Sequence, residues 1–185
     1  MCALLMVVIT FSGLHGAGKS TYAKDIAEHF DLRYISAGDL FRRRAQELGL
    51  TVTALTDLAA GDGSIDKELD ERTLREAEKG SVVLDGQLTG WMAGEFADIR
   101  VYLKASLDTR VARLARRDSL HPEEARKEML HREAEERERY KSLYGIDVAD
   151  TSIYEVILDT SFLGLESVKG VLRTIVREYI SAQKS

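Results

Sequence analysis

The run GLHGAGKS, Gly13 to Ser20, fits G-x-x-x-x-G-K-[ST] through Gly13, Gly18, Lys19 and Ser20, with Gly16 as a third flexible point. Such a loop turns backbone amides inward onto phosphate oxygens through conformations closed to residues with a Cβ. Gly13, Leu14, His15, Gly16, Ala17, Gly18, Lys19, Ser20 and Thr21 are therefore the expected cradle of a nucleoside triphosphate. Lys19 is expected to neutralise charge between the β- and γ-phosphates, and Ser20 to offer a hydroxyl to Mg²⁺. The helix that follows adds the positive end of its dipole. His15 reads as a variable loop position exposing a neutral side chain. Asp85, which ends the run SVVLD, is the candidate partner for Mg²⁺ or for a metal-bound water, at the sheet edge where ligands of such folds bind. An ordinary turn aspartate is the competing reading.

Three arginine clusters bear on where a phosphate would go. The first is SAGDLFRRR, Ser36 to Arg44, in which Arg42 lies four residues after Gly38; a solvated basic face accounts for Arg43 or Arg44 more easily than for the whole string. The second is Arg110, Arg113, Arg116 and Arg117, where 110, 113 and 117 form one helical stripe. Like charges on one stripe require anions among them, either Glu123, Glu124 and Glu128 or a triphosphate. The third is HREAEERERYKSLYGID, His131 to Asp147. Its i,i+4 pairs Glu128 with Arg132, Glu133 with Arg137, and Glu135 with Arg139 would support a solvated helix without further role. Arg132, Glu136 and Arg139 equally form a stripe offering two cations for a phosphate and a carboxylate for ribose hydroxyls. Both readings stand on the spacing.

The elements that must position these residues are legible in the hydropathy pattern. Apolar runs of strand length recur at LLMVVITF, RYIS, SVVLDG, IRVYLKA and YEVILDT, with helical spacing between them. That alternation predicts an α/β fold, a parallel sheet covered by helices, and strands without alternation imply two buried faces. Helices are expected over Lys19 to Phe30, Leu107 to Arg116, from the HPEE start at His121, and over Leu165 to Ile180. Between Ala37 and Lys79 lies a mostly helical insert, broken near GDGS at 61–64, that is expected to stand off the sheet.

The bulk properties bound the rest. A chain of 185 residues without linker or repeat reads as one domain over 1–185. A net charge of −5 argues against bulk attraction to nucleic acid or anionic membrane, so any anion site is local. The single Cys2 cannot form an internal disulfide and suits a reducing compartment. Ala3 to Phe11 has no preceding Lys or Arg and is too short to span a bilayer, so it reads as a buried strand of a cytoplasmic protein. The chain contains no Asn, which excludes an Asn-Lys-x-Asp guanine reader and favours adenine as the donor base.

The order GLHGAGKS, SAGDLFR, IDKELDER, VVLDGQLTGWM and REAEERERYKSLYGIDVADTSIYEVILDTS resembles the cytidylate kinases, most closely their archaeal type, across nearly the whole chain. The resemblance implies a P-loop kinase of three layers, a five-stranded parallel sheet with an NMP-binding insert at 37–79 and a lid at about 117–145. It implies transfer of the γ-phosphoryl of ATP to CMP or dCMP with Mg²⁺; a monomer is expected, with no nucleic-acid or membrane partner. Arg42 then holds the acceptor phosphate, with Ser36 and Gly38 in the same string. Arg132, Glu136 and Arg139 contact acceptor ribose and phosphate, while Arg113 and Arg117 steady the transferring group. Lys19, Arg113, Arg117 and Arg132 are accordingly the expected catalytic set. The pattern departs at Asp85-Gly86-Gln87, where relatives often carry an Arg for the acceptor phosphate; Gln87 brings no charge, and Arg43, Arg44 or Arg72 are the candidates to compensate. An adenylate kinase would show Asp-Gly-Phe-Pro-Arg there, and DGQLTGW lacks the Pro and Arg. A small-metabolite kinase, or a nucleotide-dependent assembly factor of kinase-like fold, is the remaining alternative.

Overall fold

The computed structural model describes residues 6–61 and 63–183; Cys2, the Ala3–Leu5 start of the first apolar run, and Asp62 of GDGS lie outside them. Five parallel strands form one sheet: β1 (Val8–Ser12), β2 (Arg33–Ser36), β3 (Val82–Asp85), β4 (Ile99–Lys104) and β5 (Val156–Asp159), in the order β2-β3-β1-β4-β5. All five expected runs become strands. The first begins at Val8, with Val7 buried ahead of it and Met6 exposed.

The chain leaves β1 through α1 (Lys19–His29) toward one edge, and leaves β3 for β4 on the other side of β1. The reversal opens a crevice at the carboxyl end of β1, the place where open parallel sheets bind ligands. Strand register fixes what lines it. Phe11 and Ser36 both pair with Asp85, so the ends of three strands arrive side by side.

Two apolar clusters sandwich the sheet. On one face Ile9, Phe11, Val101 and Leu103 pack with Ile26 of α1 and with Val168, Leu172 and Val176 of α8 (Leu165–Gln183). On the other, Val8, Val82 and Leu84 meet Ala77, Ala93 and Ala97. Both faces of the central strands are thereby buried, which is why they read as continuous apolar runs. β4 alternates instead, with Ile99, Val101 and Leu103 buried and Arg100 and Tyr102 half-buried.

The insert is three helices, α2 (Ala37–Glu47), α3 (Val52–Gly61) and α4 (Ser64–Glu78), with a small core of Phe41, Ala45 and Leu55. Ser36 caps α2 by accepting from the Asp39 amide at 3.2 Å. After the short α5 (Thr89–Met92), α6 (Leu107–Asp118) and α7 (Pro122–Tyr144) form a hairpin that turns at Ser119, whose φ is +56°. Pro122 occupies the first turn of α7 and Gly145 closes it at φ +69°. No helix among the described residues is long and apolar enough to cross a membrane.

Candidate active site

The loop between β1 and α1 is shaped by close approaches as well as by its glycines. Gly13 has φ +136°, and a Cβ there would stand 2.1 Å from the Leu103 carbonyl oxygen. Gly16, at φ +77°, lies against Arg110, where a Cβ would come within 2.7 Å of the backbone oxygen. Arg113 Nη1 donates to the Gly16 carbonyl at 3.2 Å and to Thr160 Oγ1 at 2.9 Å. Thr160 Oγ1 in turn donates to the Ala17 carbonyl at 2.9 Å. The loop is thus braced from β4, α6 and the end of β5.

Lys19 Nζ donates to the Gly13 and Leu14 carbonyls at 2.8 and 3.1 Å. Burial holds its ammonium below the usual lysine range, against the opposing pull of the Asp85 carboxylate. Ser20 Oγ donates to Asp85 Oδ2 at 2.6 Å, and Tyr34 OH to the same oxygen at 2.8 Å. The pair expected to share a metal therefore meets at the end of β3. A hydroxyl and a carboxylate beside a phosphate loop match the few oxygen ligands that Mg²⁺ takes from a protein when phosphates supply others.

One open cleft of about 930 Å³ runs from this loop to the insert. Lys19, Ser20 and Asp85 lie at its donor end, and Arg42, Arg132, Glu136 and Arg139 also line it. Arg42 is held by Asp39 at 2.5 Å on the exposed start of α2. Arg43, Arg44 and Arg72 are exposed and are not among the lining side chains, so the compensation expected from them has no geometric basis. Gln87 does line the cleft, but its Nε2 donates to Glu136 Oε2 at 2.5 Å.

The two readings of α7 separate here. On a solvated helix Glu136 and Arg139 would face water, whereas they are 5% and 6% exposed. The expected i,i+4 pairs give way to longer connections. Arg139 Nε donates to Asp66 Oδ2 of α4 at 2.6 Å, Arg137 pairs with Asp147, and Glu133 takes Arg110 at 2.5 Å. Only Arg132 pairs along the helix, its Nη2 lying 3.5 Å from Glu136 Oε1. Arg132 Nε and Arg139 Nη1 are buried without a protein partner, as donors awaiting a ligand would be. Burial would raise the Glu136 carboxyl, but His15, Arg132 and Arg139 outweigh it and hold it at about 2.

His15 corrects its expectation. It is not an exposed loop position: its side chain is 17% exposed and its Nε2 lies 2.7 Å from Glu136 Oε2. The arginine stripe of α6 is also resolved differently. Arg110 is buried on Glu133, Arg113 braces the phosphate loop, and Arg117 pairs with its neighbour Asp118 at the cleft wall. Their anions are therefore not Glu123, Glu124 and Glu128. Glu133, Thr160, Asp66 and Tyr34 hold Arg110, Arg113, Arg139 and Asp85 in place, a role that spacing did not mark. Thr160 was the most findable, since it follows the last strand at its carboxyl end.

Asp70 of α4 accepts from Tyr144 OH at 2.6 Å, yet burial, reinforced by Asp66, pushes its carboxyl up to about 6 from 3.8. Between those pH values the folded protein holds a proton that the unfolded chain has released. Stability is therefore lost as pH rises through the window, and the full penalty stands above about pH 6. Asp70→Asn, which keeps an acceptor for Tyr144, is expected to stabilise the protein by about 2 kcal/mol at pH 8. Thermal melts should show that gain shrinking toward zero by pH 4.

A glycine loop with its lysine, Ser20 hydrogen-bonded to Asp85 at the end of the neighbouring strand, and arginines across one cleft define a P-loop kinase. Solved structures of similar shape agree on the fold. A gluconokinase from Sinorhizobium meliloti superposes with a TM-score of 0.61 at 17% identity, covering 98% of this chain and 99% of that one. A shikimate kinase from Acinetobacter baumannii gives 0.60 at 16%, covering 95% and 96%. The model of the cytidylate kinase-like family matches residues 8–162. A cytidylate kinase of Staphylothermus marinus is 43% identical over 95% of this chain and 99% of its own length. One from Halobacterium salinarum is 41% identical over 94% and 91%. The chain belongs to the cytidylate kinase-like family, and it is a nucleoside monophosphate kinase.

Proposed function

We propose that the protein transfers the γ-phosphoryl of ATP to CMP or dCMP, giving ADP and the cytidine diphosphate. The observation that carries this reading is the single cleft with the phosphate loop at one end and Arg42, Arg132, Glu136 and Arg139 along it. The relatives named cytidylate kinase support the pyrimidine acceptor.

In this reading the loop Gly13 to Thr21 holds the triphosphate through its backbone amides, apart from that of His15, which donates to Glu133 Oε1. Lys19 leaves its two loop carbonyls to neutralise the β- and γ-oxygens. Ser20 and Asp85 would hold Mg²⁺, which when bound would offset the negative charge of the phosphates. Arg42 takes the acceptor phosphate. Arg132 and Arg139 bring the two unspent donors, and Glu136 accepts from ribose hydroxyls, with Ser36 and Gly38 shaping the α2 side. Arg117, from the lid at about 117–145, and Arg113, from the loop's edge, steady the transferring group. Catalysis is positioning and charge neutralisation, with little for a protein base to do. Closure of the lid would exclude water and so suppress hydrolysis of ATP. The protein acts as a cytoplasmic monomer.

A coupled assay with Mg-ATP against CMP, dCMP, UMP and AMP tests the acceptor. CMP and dCMP should show the highest kcat/KM. Turnover of AMP with none of CMP or dCMP would refute the pyrimidine reading.

A further inference from the structure

We propose that His15, inside the phosphate loop, is a positioning residue for the acceptor: it fixes Glu136, the carboxylate that meets the acceptor's ribose hydroxyls. The proposal rests on the acceptor reading above. Residue 15 is tied to α7 and its neighbour α6 at three points. Its amide donates to Glu133 Oε1 at 3.1 Å, and its carbonyl accepts from Arg110 Nη1 at 3.2 Å. Arg110 also holds Glu133 Oε1 at 2.5 Å, which closes a backbone clamp. The third tie is the imidazole, whose Nε2 lies 2.7 Å from Glu136 Oε2.

The clamp and the imidazole have different consequences. Glu133 and Glu136 are one turn apart on α7, and of the two only Glu136 lines the cleft. A backbone clamp would serve any residue at position 15; the contact to Glu136 requires this side chain. A carboxylate only accepts, so His15 Nε2 carries the proton. Gln87 Nε2, 3.0 Å from that nitrogen, donates to the same Oε2. Two neutral donors therefore hold one oxygen of Glu136. Oε1, with Arg132 at the long distance of 3.5 Å, keeps lone pairs for a ligand hydroxyl. Neutrality matters at this position. Burial, with Lys19 and Arg132 nearby, keeps the imidazole below its usual range despite Glu136, so His15 orients the carboxylate without adding a third cation.

Steady-state kinetics of the full chain test this. His15→Ala should raise KM for CMP about tenfold, the scale of one hydrogen bond to a charged group, with KM for ATP within about twofold of wild type. His15→Gln, whose side-chain amide reaches a similar distance, should restore most of the loss. With 2′,3′-dideoxycytidine monophosphate, which offers Glu136 no hydroxyl, wild type and His15→Ala should share one KM. If His15→Ala does not fold, His15→Leu gives the same comparison. Equal losses on both acceptors, a parallel rise in KM for ATP, or no rescue by His15→Gln would overturn the proposal. A folded wild type that turns over no cytidine acceptor would overturn the acceptor reading itself, and this proposal with it.

Discussion

Lys19→Ala is expected to lower phosphoryl transfer about 10³-fold, roughly 4 kcal/mol of transition-state stabilisation, while the fold survives. The two halves of this expectation have separate grounds. Lys19 is the cation of the phosphate loop, and its present hydrogen bonds go to the Gly13 and Leu14 carbonyls, which water can satisfy when the lysine is gone. The loop's shape does not depend on them. Arg113 and Thr160 brace it from outside, and the close packing at Gly13 fixes its start. Circular dichroism and melting should match wild type, so that the kinetic loss is attributable to charge. A folded Lys19→Ala enzyme with near-normal turnover would remove the lysine from the mechanism.

Arg132→Ala is expected to cost about 10²- to 10³-fold in kcat/KM, with KM for the acceptor affected and KM for ATP little changed. Arg132 is a cleaner probe than Arg139. Arg139 is buried with Asp66, and removing one partner of such a pair costs about 3–5 kcal/mol of stability by leaving a charge unpaired. Its deletion would confuse folding with binding. Arg132 makes one long contact to Glu136 and has a buried, unpartnered Nε. Its donors are available for a ligand, and their loss should be felt mainly when one is present. Measuring KM for both substrates in a variant of unchanged melting temperature decides the matter. An unchanged KM for the acceptor would contradict its placement on that side.

The fold was legible because the strands are short apolar runs and the helices carry their own start and stop residues. The phosphate loop and its partner Asp85 were legible because both sit at strand ends in a parallel sheet, so hydropathy fixed their neighbourhood. Side-chain partnerships across the cleft were not. Local spacing offered Glu133 to Arg137 and Glu135 to Arg139, but tertiary packing gave Glu133 to Arg110 and Arg139 to Asp66. Exposed i,i+4 pairs contribute only a few tenths of a kcal/mol, too little to resist a buried alternative. His15 shows the same limit. Nothing local distinguishes an exposed loop histidine from one that reaches Glu136, 121 residues away along the chain. Gln87, which as a substitute for arginine looked like a weakened acceptor contact, is spent on orienting Glu136 beside it.

The phosphoryl group held by the GLHGAGKS loop is expected to pass to a cytidine monophosphate in the same cleft. A single-turnover experiment with γ-labelled ATP, Mg²⁺ and excess CMP tests this most directly. The label should appear in CDP, with little released as inorganic phosphate. Label found chiefly as inorganic phosphate, with CMP unchanged, would mean that the cleft hydrolyses ATP and does not phosphorylate cytidine monophosphate.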